Sequence, residues 1–313
     1  MTGDVMNRAV KAGRARVPGR TPKAPRAGEA SRGGVRPTRR AVALTTGLLV
    51  VFLVYSLAPT WFLLVSATKN QTDLYSTFGL LFSANHLGDN LQQIASYHDG
   101  VFLRWIGNSV LYSTLGAAGS TLISLAAGYG LAKYDYRGRG ALFALVVGAS
   151  LLPSTLLAFP LYLVFAEMGL TNTIWSVLIP YFINPFGVYL GKVYADSSVP
   201  TELMEAARID GAGELRIFFA VALRLMRTGG VTIFMLDFIN IWNNFFLPLF
   251  MLNGERSFPV TLGLFSWLQQ AQTARDMNTL VLTGSLLSII PLAVLMFTLQ
   301  KYWRSGILMG SLK

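Results

Sequence analysis

Six long apolar runs are the feature of this sequence that most restricts its fold. They cover approximately residues 41–66, 106–132, 141–165, 173–194, 229–252 and 278–299. Each run is close to the roughly 20 residues that a helix needs to cross the hydrocarbon core of a bilayer. Only 13% of the residues are charged and the mean hydropathy is +0.49, which leaves too little polar surface for a soluble domain of this size. The sequence therefore predicts an all-α polytopic membrane protein with six transmembrane helices.

The basic residues are divided unequally between the two sides of such a bundle. If the N-terminus is cytoplasmic, inside segments carry 22 of the 26 Lys and Arg residues and outside segments carry the other 4. An excess of Lys and Arg marks cytoplasmic loops. We therefore expect a multi-pass protein of the cell (cytoplasmic) membrane with both termini in the cytoplasm.

Residues 1–40 differ in composition from the rest of the chain. They hold eleven of the basic residues, many Gly, Pro and Ala, and no apolar periodicity. This composition is typical of a disordered segment. We interpret the stretch as a basic cytoplasmic tail that sets the orientation and contacts anionic membrane lipid, and we expect no nucleic-acid binding, which would need interleaved aromatic residues or a folded module.

Two of the predicted spans have informative faces. Small residues recur three and four positions apart in the second span, which suits close packing in the bundle centre or against a partner subunit. They are Ser109, Ser113, Gly116, Ser120, Ser124 and Ala127. In the fifth span Asp237, Asn240 and Asn244 share one face. A carboxylate is costly in hydrocarbon, so this face either makes a polar contact between helices or lines a translocation pathway, and the pattern leaves both open.

The segment 195–228, between the fourth and fifth spans, carries the most specific motif. The pattern predicts a short helix that starts near Pro200, with Ser198 as its N-cap, and that ends at Gly211 in the left-handed conformation. One stripe of this helix consists of Leu203, Ala206, Ala207 and Asp210. A short exposed helix has little stability alone and needs a groove in which to dock. We therefore predict a contact surface for a cytoplasmic partner.

The same segment resembles the cytoplasmic signature of the permease subunits of binding-protein-dependent ABC importers. That signature reads Glu-Ala-Ala, three residues, Gly, nine residues, Ile, one residue, Leu-Pro. Here Glu205-Ala206-Ala207 is followed by Gly211, and Val221 stands at the isoleucine position. Arg224 replaces the usual proline, and Gly213 replaces a serine that is frequent in sugar permeases.

The resemblance extends over roughly residues 41–313, and several further segments give it a sugar-permease character. These are Glu205 to Ala212, Trp242 to Phe245 with Pro248, Gln300 to Gly306, Lys133 to Gly138, and Pro153 to Tyr162. The resemblance implies a six-helix ABC importer transmembrane domain, a second homologous permease subunit, two cytoplasmic ATP-binding subunits and an extracytoplasmic solute-binding protein. It implies import of a carbohydrate or sugar-like solute by alternating access, with a polyol, an amino acid or a peptide as the alternative solute.

The resemblance also implies where coupling to ATP hydrolysis takes place. The loop helix would dock in a cleft of one ATP-binding subunit. The implied coupling residues are Leu203, Glu205, Ala206, Ala207, Asp210 and Gly211. The possible translocation-pathway residues remain those of the polar face of the fifth span, Asp237, Asn240 and Asn244.

The residue inventory argues against catalysis by this chain. It has no Gly-x-x-x-x-Gly-Lys-Ser/Thr phosphate loop and no cysteine, and Asp237 has no second intramembrane carboxylate with which to share a proton. His86 and His98 lie in the first outside loop. We expect no enzyme activity, cofactor or metal. A non-transporting membrane scaffold would not need the polar face of the fifth span, and a proton-driven carrier is disfavoured by the single buried acid.

Overall fold

The computed structural model describes residues 38–274 and 277–310, without the side chains of residues 301–310. Within those residues the regular secondary structure is helical and no strand forms, which confirms the predicted all-α class. The predicted tail, residues 1–40, lies outside the described residues except for its last three positions, where the first helix has already begun at Arg39. The described residues from 54 onward form one compact unit, and those from 38 to 53 belong to another.

The α-helices of the described residues are labelled α1 to α15 in chain order. They are α1 (Arg39–Ala67), α2 (Gln71–Ser76), α3 (Leu87–Ser96), α4 (Val101–Lys133), α5 (Arg139–Ser150), α6 (Ser154–Glu167), α7 (Ile174–Tyr181), α8 (Pro185–Ser198), α9 (Thr201–Ile209), α10 (Glu214–Ile217), α11 (Leu223–Leu225), α12 (Arg227–Asn243), α13 (Phe246–Met251), α14 (Val260–Ala271) and α15 (Met277–Gly310). A π-helical turn, Phe218–Ala222, joins α10 to α11, and 3-10 turns occupy Tyr97–Asp99 and Glu255–Ser257.

The described helices provide up to six membrane crossings. Helices α1 and α4 and the part Met277–Gln300 of α15 are each long and apolar enough to span a bilayer alone. Three further crossings form only if each bent pair counts as one span. The bends are 100° between α5 and α6, 40° between α7 and α8, and 79° between α10–α11 and α12. Five of these six elements follow apolar runs of the sequence. The pair with the 79° bend begins at Glu214, inside the predicted loop 195–228, so only its second helix, α12, lies in the fifth apolar run.

The breaks occur at residues that do not continue an α-helix. Between α7 and α8, Asn184 is extended and its Oδ1 accepts the Gly187 N–H at 3.0 Å. Pro185 then begins α8 at the first helical position, where the backbone N–H that proline lacks would have no partner within the helix. Between α5 and α6, Pro153 is likewise extended and precedes the first residue of α6. The prolines of the apolar runs therefore separate helices as well as lying within them.

The fifth apolar run does not form one continuous helix. The predicted span 229–252 is split, because α12 ends at Asn243 and α13 begins at Phe246. Asn244 is extended, and its Oδ1 accepts the backbone N–H groups of Phe246 (3.0 Å) and Leu247 (3.2 Å). This side chain replaces the helical hydrogen bonds that are lost at the break, and the hydrophobic pattern contains no sign of it.

Helix α4 is the central element of the bundle and packs most extensively against α8 and α12. The crossing with α8 is close enough to exclude side chains, because a Cβ atom on Gly128 would lie 2.3 Å from the backbone nitrogen of Lys192. A Cβ atom on Gly191 would lie 2.4 Å from the Ser124 carbonyl oxygen. Five of the six residues of the predicted small-residue stripe are buried, whereas Ala127 is exposed and Gly128 takes its place in the contact.

One end of α4 binds the segment that precedes α14. Trp105 Nε1 donates to the Glu255 carbonyl oxygen at 2.8 Å, and Tyr112 OH donates to the Ser257 carbonyl oxygen at 2.9 Å. Ser109 Oγ accepts the Val260 N–H at 2.8 Å. These side chains lie on one face of α4, so the segment is held along almost two helical turns.

The other end of α4 contributes to an apolar cluster that we call the loop cluster. Its buried members come from α4, α8, α9 and the elements that follow. They are Leu125, Tyr129, Ala195, Val199, Met204, Ile217, Phe218, Ala222, Met226 and Ile233. The segment between the fourth and fifth spans therefore packs onto the end of the bundle, and α4 runs from this cluster to the segment before α14.

Candidate coupling and translocation sites

The short helix predicted in the loop is α9, and its start differs in detail from the prediction. Ser198 is the last residue of α8 and does not cap α9. Pro200 occupies the N-cap position in an extended conformation, and no side chain caps the helix there. Glu202 in the first turn and Arg208 in the last turn both complement the helix dipole.

The C-terminus of α9 forms at Gly211 as predicted. Its φ is +80°, in the left-handed region. The Gly211 N–H donates to the Arg208 carbonyl oxygen at 3.0 Å, and the Ala212 N–H donates to the Ala207 carbonyl oxygen at 2.9 Å. This pair of bonds is the Schellman arrangement. No atom lies within 4 Å of a Cβ built on Gly211, so φ alone, rather than space, disfavours other residues there.

The inner face of α9 packs onto the loop cluster. Met204 is only 1% exposed, and its burial stabilises the docked helix by about 1.5–3 kcal/mol. Ala207 is half-buried against the same cluster. Ala207, a member of the predicted stripe, therefore contacts the body of its own chain, and its contact with a partner stays a prediction. The spacing of apolar residues along a short helix does not show which face of the helix packs against its own chain.

The outer face of α9 is exposed in the part of the chain that the structure describes. Of the predicted coupling residues, Leu203, Glu205, Ala206 and Asp210 are exposed. Ile209, which sequence reasoning did not select, is 86% exposed on the side opposite Met204. Leu215, just beyond the turn, is 78% exposed. A signal for Ile209 was present, since a large aliphatic residue lies five positions from the buried Met204 and so on the opposite face.

A polar brace connects α9 to α4 through Glu214. Arg208 Nε donates to Glu214 Oε1 at 2.8 Å, and Arg208 Nη2 donates to Glu214 Oε2 at 3.3 Å. Tyr134, which follows α4, donates its hydroxyl to the same Oε2. The Arg208 guanidinium holds the pKa of Glu214 below its ordinary value, and burial is the main cause of the raised pKa of Tyr134. This brace links α9, through Glu214 of α10, to the residue that follows α4.

Two of the three positions that differ from the family pattern, Val221 and Arg224, lie in helical backbone, and the third, Gly213, does not. Gly213 is extended and precedes α10, with its carbonyl oxygen accepting the Ile217 N–H at 3.0 Å. Val221 lies in the π-helical turn. Arg224 lies in α11, immediately before the 79° bend into α12. The bend therefore forms without the proline that the signature usually has at this position.

Asp237 lies in a polar contact among three helical elements. It is buried, and its Oδ2 accepts from Ser120 Oγ of α4 at 2.6 Å. Its Oδ1 accepts from Asn184 Nδ2 at 2.5 Å, and Asn184 also caps α8. Of the two roles that the sequence left open for Asp237, this geometry is that of the contact between helices. Sequence reasoning missed Asn184 as a partner, although an Asn before a Pro inside an apolar run was a signal.

The other two residues of the polar face have different surroundings. Asn240 is exposed on α12, one turn from Asp237. Asn244 is half-buried and caps α13, while its carbonyl oxygen accepts from Thr261 Oγ1 at 3.1 Å. The three side chains therefore do not form one cluster. Asn240 is the member of the predicted face that remains available to a solute or a second subunit.

Neither histidine lies in a metal-binding cluster within the described part of the chain, where no group of three or more His, Asp and Glu side chains converges. His86 Nδ1 lies 3.3 Å from Asp89 Oδ2, and His98 Nδ1 lies 3.5 Å from Glu255 Oε2. His86 Nε2 also lies 3.1 Å from Asn70 Nδ2.

Comparison with known proteins relates this architecture to transporters. The family model described as binding-protein-dependent transport system inner membrane component matches residues 119–307. The arabinooligosaccharides transport system permease protein AraQ of Halalkalibacterium halodurans is 33% identical, covering 86% of this chain and 95% of that protein. The melibiose/raffinose/stachyose import permease protein MelC of Bacillus subtilis is 32% identical, covering 66% of this chain and 76% of that protein.

A solved structure has the same fold. It is a chain of a bacterial ABC transporter involved in the import of the acidic polysaccharide alginate, with a TM-score of 0.74 and 24% sequence identity. The superposition covers 86% of this chain and 98% of that chain. The fold, the loop helix and the family match agree, and this chain belongs to the family of inner membrane components of binding-protein-dependent transport systems, the permeases of ABC importers.

Proposed function

We propose that this chain is one of two homologous permease subunits of an importer for a carbohydrate, and that it works with two cytoplasmic ATP-binding subunits and an extracytoplasmic solute-binding protein. The permeases AraQ and MelC, named for oligosaccharide transport, support the class of solute. The observation that carries the proposal is α9, a helix fixed to its own chain on one face and exposed on the other.

The proposed orientation places both termini and α9 in the cytoplasm. The charge distribution supports it, since the basic residues gather in the segments assigned to that side. The outer face of α9 then points toward the ATP-binding subunits. Its exposed residues Glu205, Ala206 and Ile209 provide an acidic and apolar surface for a groove in such a subunit.

The mechanism follows from how α9 is attached. Closure of the ATP-binding subunits would move α9, and Met204 and the brace through Glu214 would transfer that movement to the loop cluster and α4. Since α4 also holds the segment before α14, both ends of the bundle would respond together. The cavity would then turn from one side of the membrane to the other, with ATP hydrolysed in the partner subunits.

We assign different roles to the residues of the α12 face. Asp237 holds α4, α8 and α12 in register, and Asn240 borders the solute route. Asn244 stabilises the break between α12 and α13. An exposed amide on a pathway wall can both donate to and accept from a hydroxylated solute.

The Gly211→Val substitution tests the coupling role of α9. A β-branched residue is strained at φ +80°, so the Schellman turn would open and reorient the helix. We expect the complex to assemble in the membrane but to lose most of its uptake, measured in vesicles beside binding-protein-stimulated ATP hydrolysis. Gly213→Val is the matched control, because φ of Gly213 is −69° and valine is tolerated there. Wild-type uptake and hydrolysis in Gly211→Val would contradict the proposal.

The solute is tested separately. Direct binding of a panel of oligosaccharides, polyols and amino acids to the solute-binding protein of this importer would identify the class. Binding of an amino acid or a peptide, but of no sugar, would refute the carbohydrate assignment while leaving the coupling role intact.

A further inference from the structure

The segment 77–82, between α2 and α3, exposes an unusual amount of apolar surface for a connection outside the spans. Phe78 is 67% exposed, Leu81 is 64% exposed, and Phe82 is also exposed. The segment is a turn closed by a bond from the Leu81 N–H to the Phe78 carbonyl oxygen at 3.2 Å. Large exposed apolar patches on a loop mark a binding surface.

This segment lies alongside the last two turns of α1. Trp61 Nε1 donates to the Leu80 carbonyl oxygen at 3.0 Å, and the rings of Trp61 and Phe82 meet edge to face at 5.5 Å between centroids. A Cβ atom on Gly79 would lie 3.2 Å from the Phe62 ring. Trp61 is six residues before the end of α1, so the turn folds back by about 9 Å along the helix axis.

A buried lysine holds the other side of the turn. Lys69 is fully buried, and its Nζ donates to Thr77 Oγ1 at 2.9 Å and to the Phe78 carbonyl oxygen at 2.8 Å. Two side chains therefore satisfy the carbonyl oxygens of Phe78 and Leu80. Water would satisfy both groups if the turn were simply an aqueous loop, whereas non-helical backbone near lipid requires partners from the protein.

The position of Trp61 along α1 sets the depth of the turn. Arg40 is the last basic residue before the apolar run, and the twenty residues that follow it extend about 30 Å as a helix, the thickness of the hydrocarbon core. Trp61 therefore comes at the opposite interface, where tryptophan is enriched in membrane proteins. The turn, bonded to Trp61, lies at the same level.

We propose that the segment 77–82 inserts its apolar side chains into the outer leaflet of the membrane, as an interfacial anchor beside α1. The occupant is lipid acyl chain, because the exposed face of the turn is continuous with the exposed apolar face of α1 that includes Leu57 and Leu64. Lys69 and Trp61 hold the anchor in place by bonding its backbone. This role is independent of the solute and of coupling.

The absence of cysteine from the chain allows a direct test in the assembled importer. Phe78→Cys and Leu81→Cys are labelled with an environment-sensitive fluorophore, and the complex is reconstituted into vesicles containing lipid with a nitroxide at a shallow or a deep acyl position. We expect strong quenching by the shallow nitroxide, weaker quenching by the deep one, and little quenching by aqueous iodide. Leu57→Cys within α1 is the lipid-facing control, and Gln92→Cys on the exposed side of α3 is the water-facing control.

Each other result would overturn the proposal. Quenching by iodide as strong as at residue 92 would place the turn in water. Protection from both iodide and nitroxide lipid would mean that another subunit covers it. The anchoring role of the side-chain bonds is tested with Trp61→Phe and Lys69→Met in the Leu81→Cys background, where we expect lipid quenching to fall toward the water-facing control. Unchanged quenching in Trp61→Phe, which conserves the aromatic ring, would show that the indole N–H does not hold the turn.

Discussion

At the scale of single residues, Asp237 shows how an apolar bundle accommodates a carboxylate. Each oxygen accepts one side-chain hydrogen bond, from Ser120 and from Asn184, so the acid is buried with partners from two other elements. The sequence indicated that this acid must avoid lipid, but it could not identify the partners. They lie 117 and 53 residues away along the chain, and no local pattern records such a pairing.

Replacing the carboxylate should destabilise the helix contact. In Asp237→Leu the buried Ser120 hydroxyl and Asn184 amide would lose their acceptor, at a cost of about 1–3 kcal/mol for each unpaired group. We expect a lower melting temperature of the purified complex and reduced uptake, with a smaller effect in Asp237→Asn, which retains one acceptor oxygen. Asn240→Leu, at an exposed position of the same helix, is the control and should keep the melting temperature. Lost uptake at an unchanged melting temperature in Asp237→Leu would instead assign the carboxylate to the solute pathway.

At the scale of elements, the sequence predicted that a loop helix exists but not how it is attached. The end at Gly211 could be predicted because left-handed φ is a local property of one residue type. The buried side of α9 could not, because it depends on Met204 meeting a cluster assembled from α4, α8 and the π-helical turn. For the same reason the break at Asn244 was missed, since apolar residues continue on both sides of it.

The brace through Glu214 should affect coupling more than assembly. Lysine cannot reproduce the two-point contact that the Arg208 guanidinium makes, so Arg208→Lys should loosen the orientation of α9. We expect a partial loss of uptake per ATP hydrolysed, with the ATP-binding subunits still bound. Arg216→Lys, at an exposed position of α10, is the matched control. Equal ratios of uptake to hydrolysis in the two variants would rule out a role for the brace.

The pH dependence of this brace has a defined sign. Arg208 lowers the pKa of Glu214 below its ordinary value of 4.5, so the stabilisation is complete above that value and is lost only as pH falls through the lower pKa of the folded protein. Between about pH 5 and pH 8 this pair should therefore contribute no change in coupling. Glu214→Gln should reduce coupling to the same extent across that range, measured as uptake per ATP hydrolysed at each pH. A deficit that appears only at one end of the range would point to another titrating group.

At the scale of the whole molecule, the apolar runs predicted six spans, and the described helices provide three, or up to six if each bent pair is one span. A hydropathy pattern identifies segments that are long and apolar enough to cross a bilayer. Six such segments predicted six helices. Among the described residues, three continuous helices and three bent pairs meet the length and polarity of a span. Pro153 and Asn184 interrupt two of these pairs without lowering the local hydropathy enough to divide a run. The bend of 100° between α5 and α6 fits either a broken crossing or a re-entrant loop.

Cysteine accessibility tests the crossing number and the orientation together, since the chain has no native cysteine. Single cysteines at Asn85, Met168 and Asn253 should react with a membrane-impermeant thiol reagent added outside, because all three positions are exposed and follow the first, third and fifth crossings. Cysteines at Arg137 and Ile209 are also exposed but should react only after the membrane is opened. Arg137 and Ile209 are preferred to the neighbouring Gly138 and Gly211, where a cysteine would be strained at φ +88° and +80°. If α5 and α6 instead entered and left the membrane on one side, Met168→Cys would be protected like Arg137→Cys, and every later loop would change sides. Labelling of Ile209→Cys from outside would then follow, and it would remove α9 from the reach of any cytoplasmic ATP-binding subunit.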